Sequence, residues 1–202
     1  MHVLAFVGGA PRGSFQRLEN DFATYYPLLK KLIKDHQLSG IDPDVEELMS
    51  NAAINRLIDS LRADFGAGFL ITLVPVATEL SGGGGLSGMN HDQLYRDRGS
   101  NISWFNAQLY CGWGTLANTT GYDSVIKRGL MPASNVVAGT VTNPANCSGC
   151  LSMTTLKATI GKLKAQYPDF GGIDGWEYVN SLPGGTAKEW QWAAEISSAV
   201  KA

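Results

Sequence analysis

The chain has 202 residues, of which 44% are hydrophobic and 17% charged, with a formal net charge of -2. That length supports one domain with a sizeable core, and that charge offers no basic surface to nucleic acid. No apolar run approaches the roughly 20 residues a membrane span needs, so no membrane partner is expected.

The chain opens with an apolar run over residues 1–7, then Gly8-Gly9. The run is too short for a signal peptide and lacks a basic leader, so it predicts a buried strand over 3–7. Residues 19–36 read as one helix, with Phe22, Tyr25, Tyr26, Leu29, Leu32 and Ile33 on one broad face. A strand follows over 38–45, then a helix over 52–65 whose Ile54, Leu57, Ile58 and Leu61 recur at the i, i+3, i+4, i+7 spacing. Residues 69–76 predict a third strand, 82–85 a glycine loop and 91–98 a short helix. The remaining strands are expected over 102–110, 136–141 and 172–178, with helices over 122–128, 154–167 and 187–200.

This alternation implies parallel strands joined by right-handed crossovers. No linker, repeat or composition shift divides the chain, so residues 1–202 read as a single domain. A barrel and an open doubly wound sheet both satisfy the pattern. Asp44, Glu46, Gln108, Tyr110, Trp176 and Glu177 all fall near C-terminal ends of strands, where barrel enzymes build their sites.

The segment Ser39-Gly40-Ile41-Asp42-Pro43-Asp44-Val45-Glu46 carries the chemistry. Side chains alternate along a strand, so Asp42, Asp44 and Glu46 share one face and Ile41, Pro43 and Val45 the other. Carboxyl groups crowded on one face cannot all ionise cheaply, and one kept protonated can serve as a general acid. The same acids also fit the first turn of a helix beginning at Glu46-Glu47-Leu48, or a magnesium or calcium site.

Three cysteines are present, Cys111, Cys147 and Cys150. Cys147 and Cys150 have metal or redox spacing, but there is no second pair and the histidines at 2, 36 and 91 lie far off. A loop with free thiols or one local disulfide is expected, and no metal or cofactor. The histidines read as surface or structural, and the glycine run, without a Lys-Ser/Thr pair, as a plain loop. Asn101-Ile102-Ser103, Asn118-Thr119-Thr120 and Asn146-Cys147-Ser148 fit the N-glycosylation pattern, which matters only in a secreted protein.

The acidic strand resembles the Asp-Gly-x-Asp-x-Asp-x-Glu signature of glycoside hydrolase family 18. Phe6-Val7-Gly8-Gly9 is similar to the family's Ser-x-Gly-Gly strand, residues 104–110 to its sixth strand, and Gly175-Trp176-Glu177-Tyr178 to its eighth. The stretches 69–77, 106–114 and 175–185 are especially similar to single-domain fungal endo-β-N-acetylglucosaminidases and chitinases. The resemblance implies a TIM-type (β/α)8 barrel and a retaining, substrate-assisted hydrolysis of β-1,4 bonds between N-acetylglucosamine units, without an enzyme nucleophile. The partner would be an N-acetylglucosamine-containing oligosaccharide, in chitin or the N-glycan core.

It implies that Glu46 protonates the leaving oxygen, Asp44 orients the substrate acetamide, Asp42 tunes Asp44, and Tyr110 donates a hydrogen bond to the acetamide. Gln108 and Asn106 would line the same subsite, Trp176 would stack under a sugar ring, and Gly8 and Gly9 would border the substrate. Gln108 and Tyr110 also read as ordinary interior polar residues, Trp176 as core, and Glu177 as structural. Secretion fits the family, although no signal peptide is visible.

Three departures bear on these expectations. Ser39 stands where the signature has its first Asp, and Pro43 should bend the strand that aims Asp44 and Glu46. The Gly8-Gly9 strand corresponds to the family's third, so six β/α units are expected where the barrel has eight. A truncated gene product, a gap filled by another chain, or an open fold would each account for that, and open edges invite self-association. The competing functions are a non-catalytic carbohydrate-binding remnant and, with no histidine beside the acids, a metal-dependent hydrolase.

Overall fold

A computed structural model describes residues 2–202. Met1, the first residue of the N-terminal run, lies outside them. In chain order the elements are β1 (Leu4–Gly8), α1 (Ser14–Asn20), α2 (Phe22–Asp35), β2 (Gly40–Asp44), α3 (Asn51–Phe65) and β3 (Leu70–Leu73). Then come α4 (Ala77–Leu80), α5 (His91–Arg98), β4 (Trp104–Gln108), α6 (Thr120–Ile126), β5 (Val136–Val141), α7 (Met153–Gln166), β6 (Ile173–Trp176) and α8 (Trp190–Lys201). They form two compact units: residues up to Pro75 with Gly82–Phe105, and Val76–Ser81 with Asn106–Ala202.

In the first unit β1, β2, β3 and the start of β4 pair in parallel and in chain order. The core is built on apolar side chains, with Ile41, Ile54, Leu61 and Phe105 fully buried. Helix α3 puts Ile54, Leu57, Ile58 and Leu61 inside, as its spacing predicts, and Ser50 caps its N-terminus by accepting from the Ala53 amide. The helix expected over 19–36 is two helices. Asp21 leaves helical backbone (φ -141°, ψ 66°) and accepts from the Thr24 amide, ending α1 and capping α2. The apolar spacing continues across the break, which is why periodicity alone does not reveal it.

Gly40 lets β2 approach β3. A Cβ there would lie 2.3 Å from the Leu70 carbonyl oxygen. Pro43 is absorbed with little disturbance on the β1 side, where pairing runs unbroken from Leu4↔Gly40 to Gly8↔Asp44. On the β3 side the paired register ends at Ile41↔Ile71. Proline removes one ladder donor there, and the Val74 amide then binds the Pro43 carbonyl at 3.0 Å.

In the second unit the Leu109 amide reaches the Gly139 carbonyl at 3.2 Å, and β5 pairs with β6 over four residues, again in parallel. Val76 bridges Gln108. Helix α7 starts at a Ser152 cap and buries Leu156, Ile160 and Leu163. Tyr167, just beyond α7, donates to Asp123 of α6 at 2.6 Å. Burial, then this bond, push the Tyr167 hydroxyl up to about 12. Burial alone would raise Asp123, but bonds from Tyr167, Lys127 and Thr119 together bring it below the usual carboxylate value.

Strand order follows chain order through all six strands, with β1–β2, β2–β3, β3–β4 and β5–β6 parallel. This is the construction of a TIM-type barrel carried through six of its eight β/α units. No described helix is long and apolar enough to cross a membrane.

Candidate active site

The acids lie at the C-terminal end of β2. Ile41, Pro43 and Val45 are buried, as the apolar half of the alternation requires. On the other half Asp44 is buried, while Asp42 and Glu46 are half-buried. The strand stops at Asp44, so Glu46 sits two residues past it, on irregular backbone. No helix begins at Glu46: α3 starts at Asn51 behind its own serine cap.

Asp42 accepts a hydrogen bond from the hydroxyl of Thr72, a fully buried residue of β3 that also reaches the Ile41 carbonyl at 3.2 Å. Ile41 and Ile71 are register partners, so Thr72 is carried beside Asp42. Sequence pattern alone does not single out Thr72. Its signal was a single hydroxyl in an otherwise apolar strand.

Gly8 and Gly9 lie against Asp44 through the backbone. Both have positive φ, and the Gly9 amide donates to the Asp44 carbonyl at 2.9 Å. A Cβ on Gly8 would meet that carbonyl oxygen at 2.2 Å and the Phe15 ring at 2.4 Å. A Cβ on Gly9 would come within 3.6 Å of the Asp44 carboxylate. The glycine pair therefore allows one strand end to close on the other.

Glu47 is the second residue that sequence missed. Its carboxylate is buried and accepts from the Gly13 and Phe15 amides, each at 2.7 Å, at the start of α1. Glu46 and Glu47 are consecutive acids with different surroundings: one is half open to solvent, the other fixes the chain behind it.

In the second unit Asn106, Gln108 and Tyr110 are buried and alternate with the buried Ala107 and Leu109. Gly139 makes room for the Tyr110 ring, since a Cβ there would stand 3.3 Å from Cε1. The next residue, Cys111, has φ 53° and forms a disulfide with Cys147, with Cα atoms 5.7 Å apart. The local pairing of Cys147 with Cys150 is not formed, and Cys150 is a free thiol. The loops after β4 and β5 meet at this point, where the Cys111 amide also bonds the Ser148 carbonyl at 3.1 Å. Proximity in sequence thus gave way to proximity across the ladder.

Trp176 ends β6 and is 38% exposed, so it is not a core residue. Its peptide bond to Glu177 is cis. Thr142 holds both sides of that bond, donating from its amide to Trp176 at 2.8 Å and from its hydroxyl to Glu177 at 2.6 Å. Gly175 lies under the Trp192 ring, where a Cβ would come within 2.4 Å.

His91 is buried edge-on to Phe105, a structural placement, while His2 and His36 are exposed. Among the described residues no group of three or more His, Cys, Asp or Glu is placed to hold a metal ion.

Comparison with solved structures decides the family. A fungal endo-β-N-acetylglucosaminidase from glycosyl hydrolase family 18 superposes with a TM-score of 0.93 at 45% identity, over 98% of this chain and 71% of that one. The chain belongs to glycoside hydrolase family 18. A chitinase from Aspergillus fumigatus is also 45% identical, with a TM-score of 0.88 over 98% of this chain and 72% of that one. A family 18 chitinase from Pseudoalteromonas aurantia, at 23% identity, shares the fold with a TM-score of 0.79 over 98% of this chain and 75% of that one. No family model matches the sequence, and no curated protein does. The family 18 assignment therefore rests on the structural likeness and its identity.

Proposed function

We propose that this family 18 chain hydrolyses the β-1,4 bond between N-acetylglucosamine units, in chitin or the chitobiose core of N-glycans, as a single catalytic domain. The reading rests on the acidic end of β2, where Asp44 is buried, Asp42 is bonded by Thr72, and Glu46 stands half-open beyond the strand. The acetamido oxygen of the substrate attacks the anomeric carbon while Glu46 gives its proton to the leaving oxygen. Glu46, now a carboxylate, takes a proton from water as that water opens the oxazolinium, and the anomeric configuration is retained. Asp44 orients the acetamide and balances the developing positive charge, with Asp42 acting through Asp44. Tyr110 donates to the acetamide, Gln108 and Asn106 line its surroundings, Gly8 and Gly9 border the sugar, and Trp176 offers its face to a ring.

The test follows product masses after incubation with a chitooligosaccharide and with a high-mannose glycoprotein. Cleavage of at least one is expected, lost in Glu46→Gln and indifferent to EDTA. Cleavage that survives Glu46→Gln would unseat the acid.

Sugar binding without turnover is the second reading. It is favoured by the end of the β2–β3 register at Ile41↔Ile71, short of Pro43, on the strand that aims the acids. Its signature is oligosaccharide affinity that disappears in Trp176→Ala while no product forms. Self-association through the outer edges of β1 and β6 is read by sedimentation at several concentrations.

A further inference from the structure

Three sequons in this chain have different surroundings, and the function above uses none of them. The first, Asn101-Ile102-Ser103, is packed into the turn that leads into β4. Ile102 is buried, the Ser103 hydroxyl accepts from the Ile71 amide at 3.2 Å, and the Asn101 carbonyl takes the Arg62 guanidinium at 3.1 and 2.5 Å. The third, Asn146-Cys147-Ser148, is tied down through its asparagine side chain, its cysteine and its serine carbonyl. Asn146 and Asn180 exchange side-chain bonds at 3.0 and 2.6 Å, Cys147 is in the disulfide, and the Ser148 carbonyl binds the Cys111 amide. A glycan on Asn146 would have to replace a hydrogen of a half-buried amide pair.

Asn118-Thr119-Thr120 differs on each count. Asn118 and Thr120 are exposed, and Asn118 accepts from the Thr120 amide at 2.9 Å through its oxygen. Its amide nitrogen has no partner among the described residues. A second observation concerns the compartment. The Cys111–Cys147 disulfide joins residues 36 apart, and such bonds form and persist in oxidising compartments, which for a eukaryotic chain are also where N-glycans are added.

We propose that Asn118 is an N-glycosylation site and that Asn101 and Asn146 are not. The donor is a lipid-linked oligosaccharide diphosphate. The Asn118 Nδ2 forms a C–N bond to the anomeric carbon of the donor's first N-acetylglucosamine. The bond from that carbon to the diphosphate oxygen breaks, and the lipid diphosphate leaves with the electron pair. One Nδ2 proton passes to a base of the transferase. The product is a surface glycan on the loop between β4 and α6, and no packed or paired group is disturbed.

The experiment directs the chain into the secretory pathway of a yeast host and maps the peptides of protein recovered from the lumen and the medium. Each sequon is scored for any added N-acetylhexosamine, trimmed or full length, so the readout does not depend on hydrolysis by the chain itself. The Asn118 peptide is expected to carry the sugar. Asn118→Gln and Thr120→Ala should each abolish it, while Asn101→Gln and Asn146→Gln leave it in place. An unmodified Asn118 peptide overturns the proposal, as does sugar persisting in either Asn118→Gln or Thr120→Ala, or occupancy of Asn101 or Asn146.

Discussion

Replacing Glu47 by alanine removes the acceptor of two backbone amides at the start of α1. A hydrogen bond to a charged group contributes about 1.5–3 kcal/mol, and a donor left buried without a partner costs about 1–3 kcal/mol. The Phe15 amide is buried and would be orphaned, whereas the Gly13 amide is part-exposed and can turn to water. The expected loss is therefore about 3–5 kcal/mol, a large share of the roughly 5–15 kcal/mol that holds a protein folded. Glu47→Gln keeps one acceptor oxygen and should lose about half as much. Glu46→Gln, one residue away and half-exposed, should change stability by less than about 0.5 kcal/mol. Urea unfolding followed by circular dichroism measures all three. With a slope of about 2 kcal/mol/M, the Glu47→Ala midpoint should fall by roughly 1.5–2.5 M. Equal effects of the two glutamate positions, or a Glu47→Ala shift below about 0.5 M, would refute the assignment of Glu47 as the clamp on α1.

Reduction of Cys111–Cys147 opens a loop of 36-residue separation and should cost up to about 4 kcal/mol, read by urea curves with and without reductant. Cys150→Ser should leave that difference intact. Tyr167 is raised in the folded chain, so its share of stability is full below the ordinary tyrosine value of about 10 and fades as pH climbs toward about 12. Tyr167→Phe should remove that part of the alkaline loss, and an unchanged stability–pH curve would count against it. Gly8→Ala and Gly13→Ala both strain a positive φ, but only Gly8 faces a backbone oxygen at 2.2 Å. Thermal melts should find Gly8→Ala worse by about 2 kcal/mol or more, with about 1 kcal/mol for Gly13→Ala.

The parallel β/α order was legible because buried strands and amphipathic helices leave different periods, as 136–141 and the Ile54–Leu61 face illustrate. The acidic alternation was legible for the same reason, since a two-residue period needs no knowledge of the neighbours. What sequence could not supply was pairing at a distance. Glu47 looks like Glu46 until Gly13 and Phe15, more than thirty residues earlier, are folded against it. Cys147 has a cysteine three residues away and takes one 36 away, because the loops after β4 and β5 converge. The exposure of Trp176 is also invisible to alternation, which assigns a side but not what covers it.

The disulfide also bears on how substrate choice in this chain can be altered. Tyr110, Cys111 and residues 112–119 lie on one loop, and Cys147 on the next. Because the two loops are covalently one piece, replacing either by a segment without its cysteine would leave the other unmatched and release the residue beside Tyr110. Where Tyr110 meets the sugar as proposed, an exchange of loops between relatives should move both together.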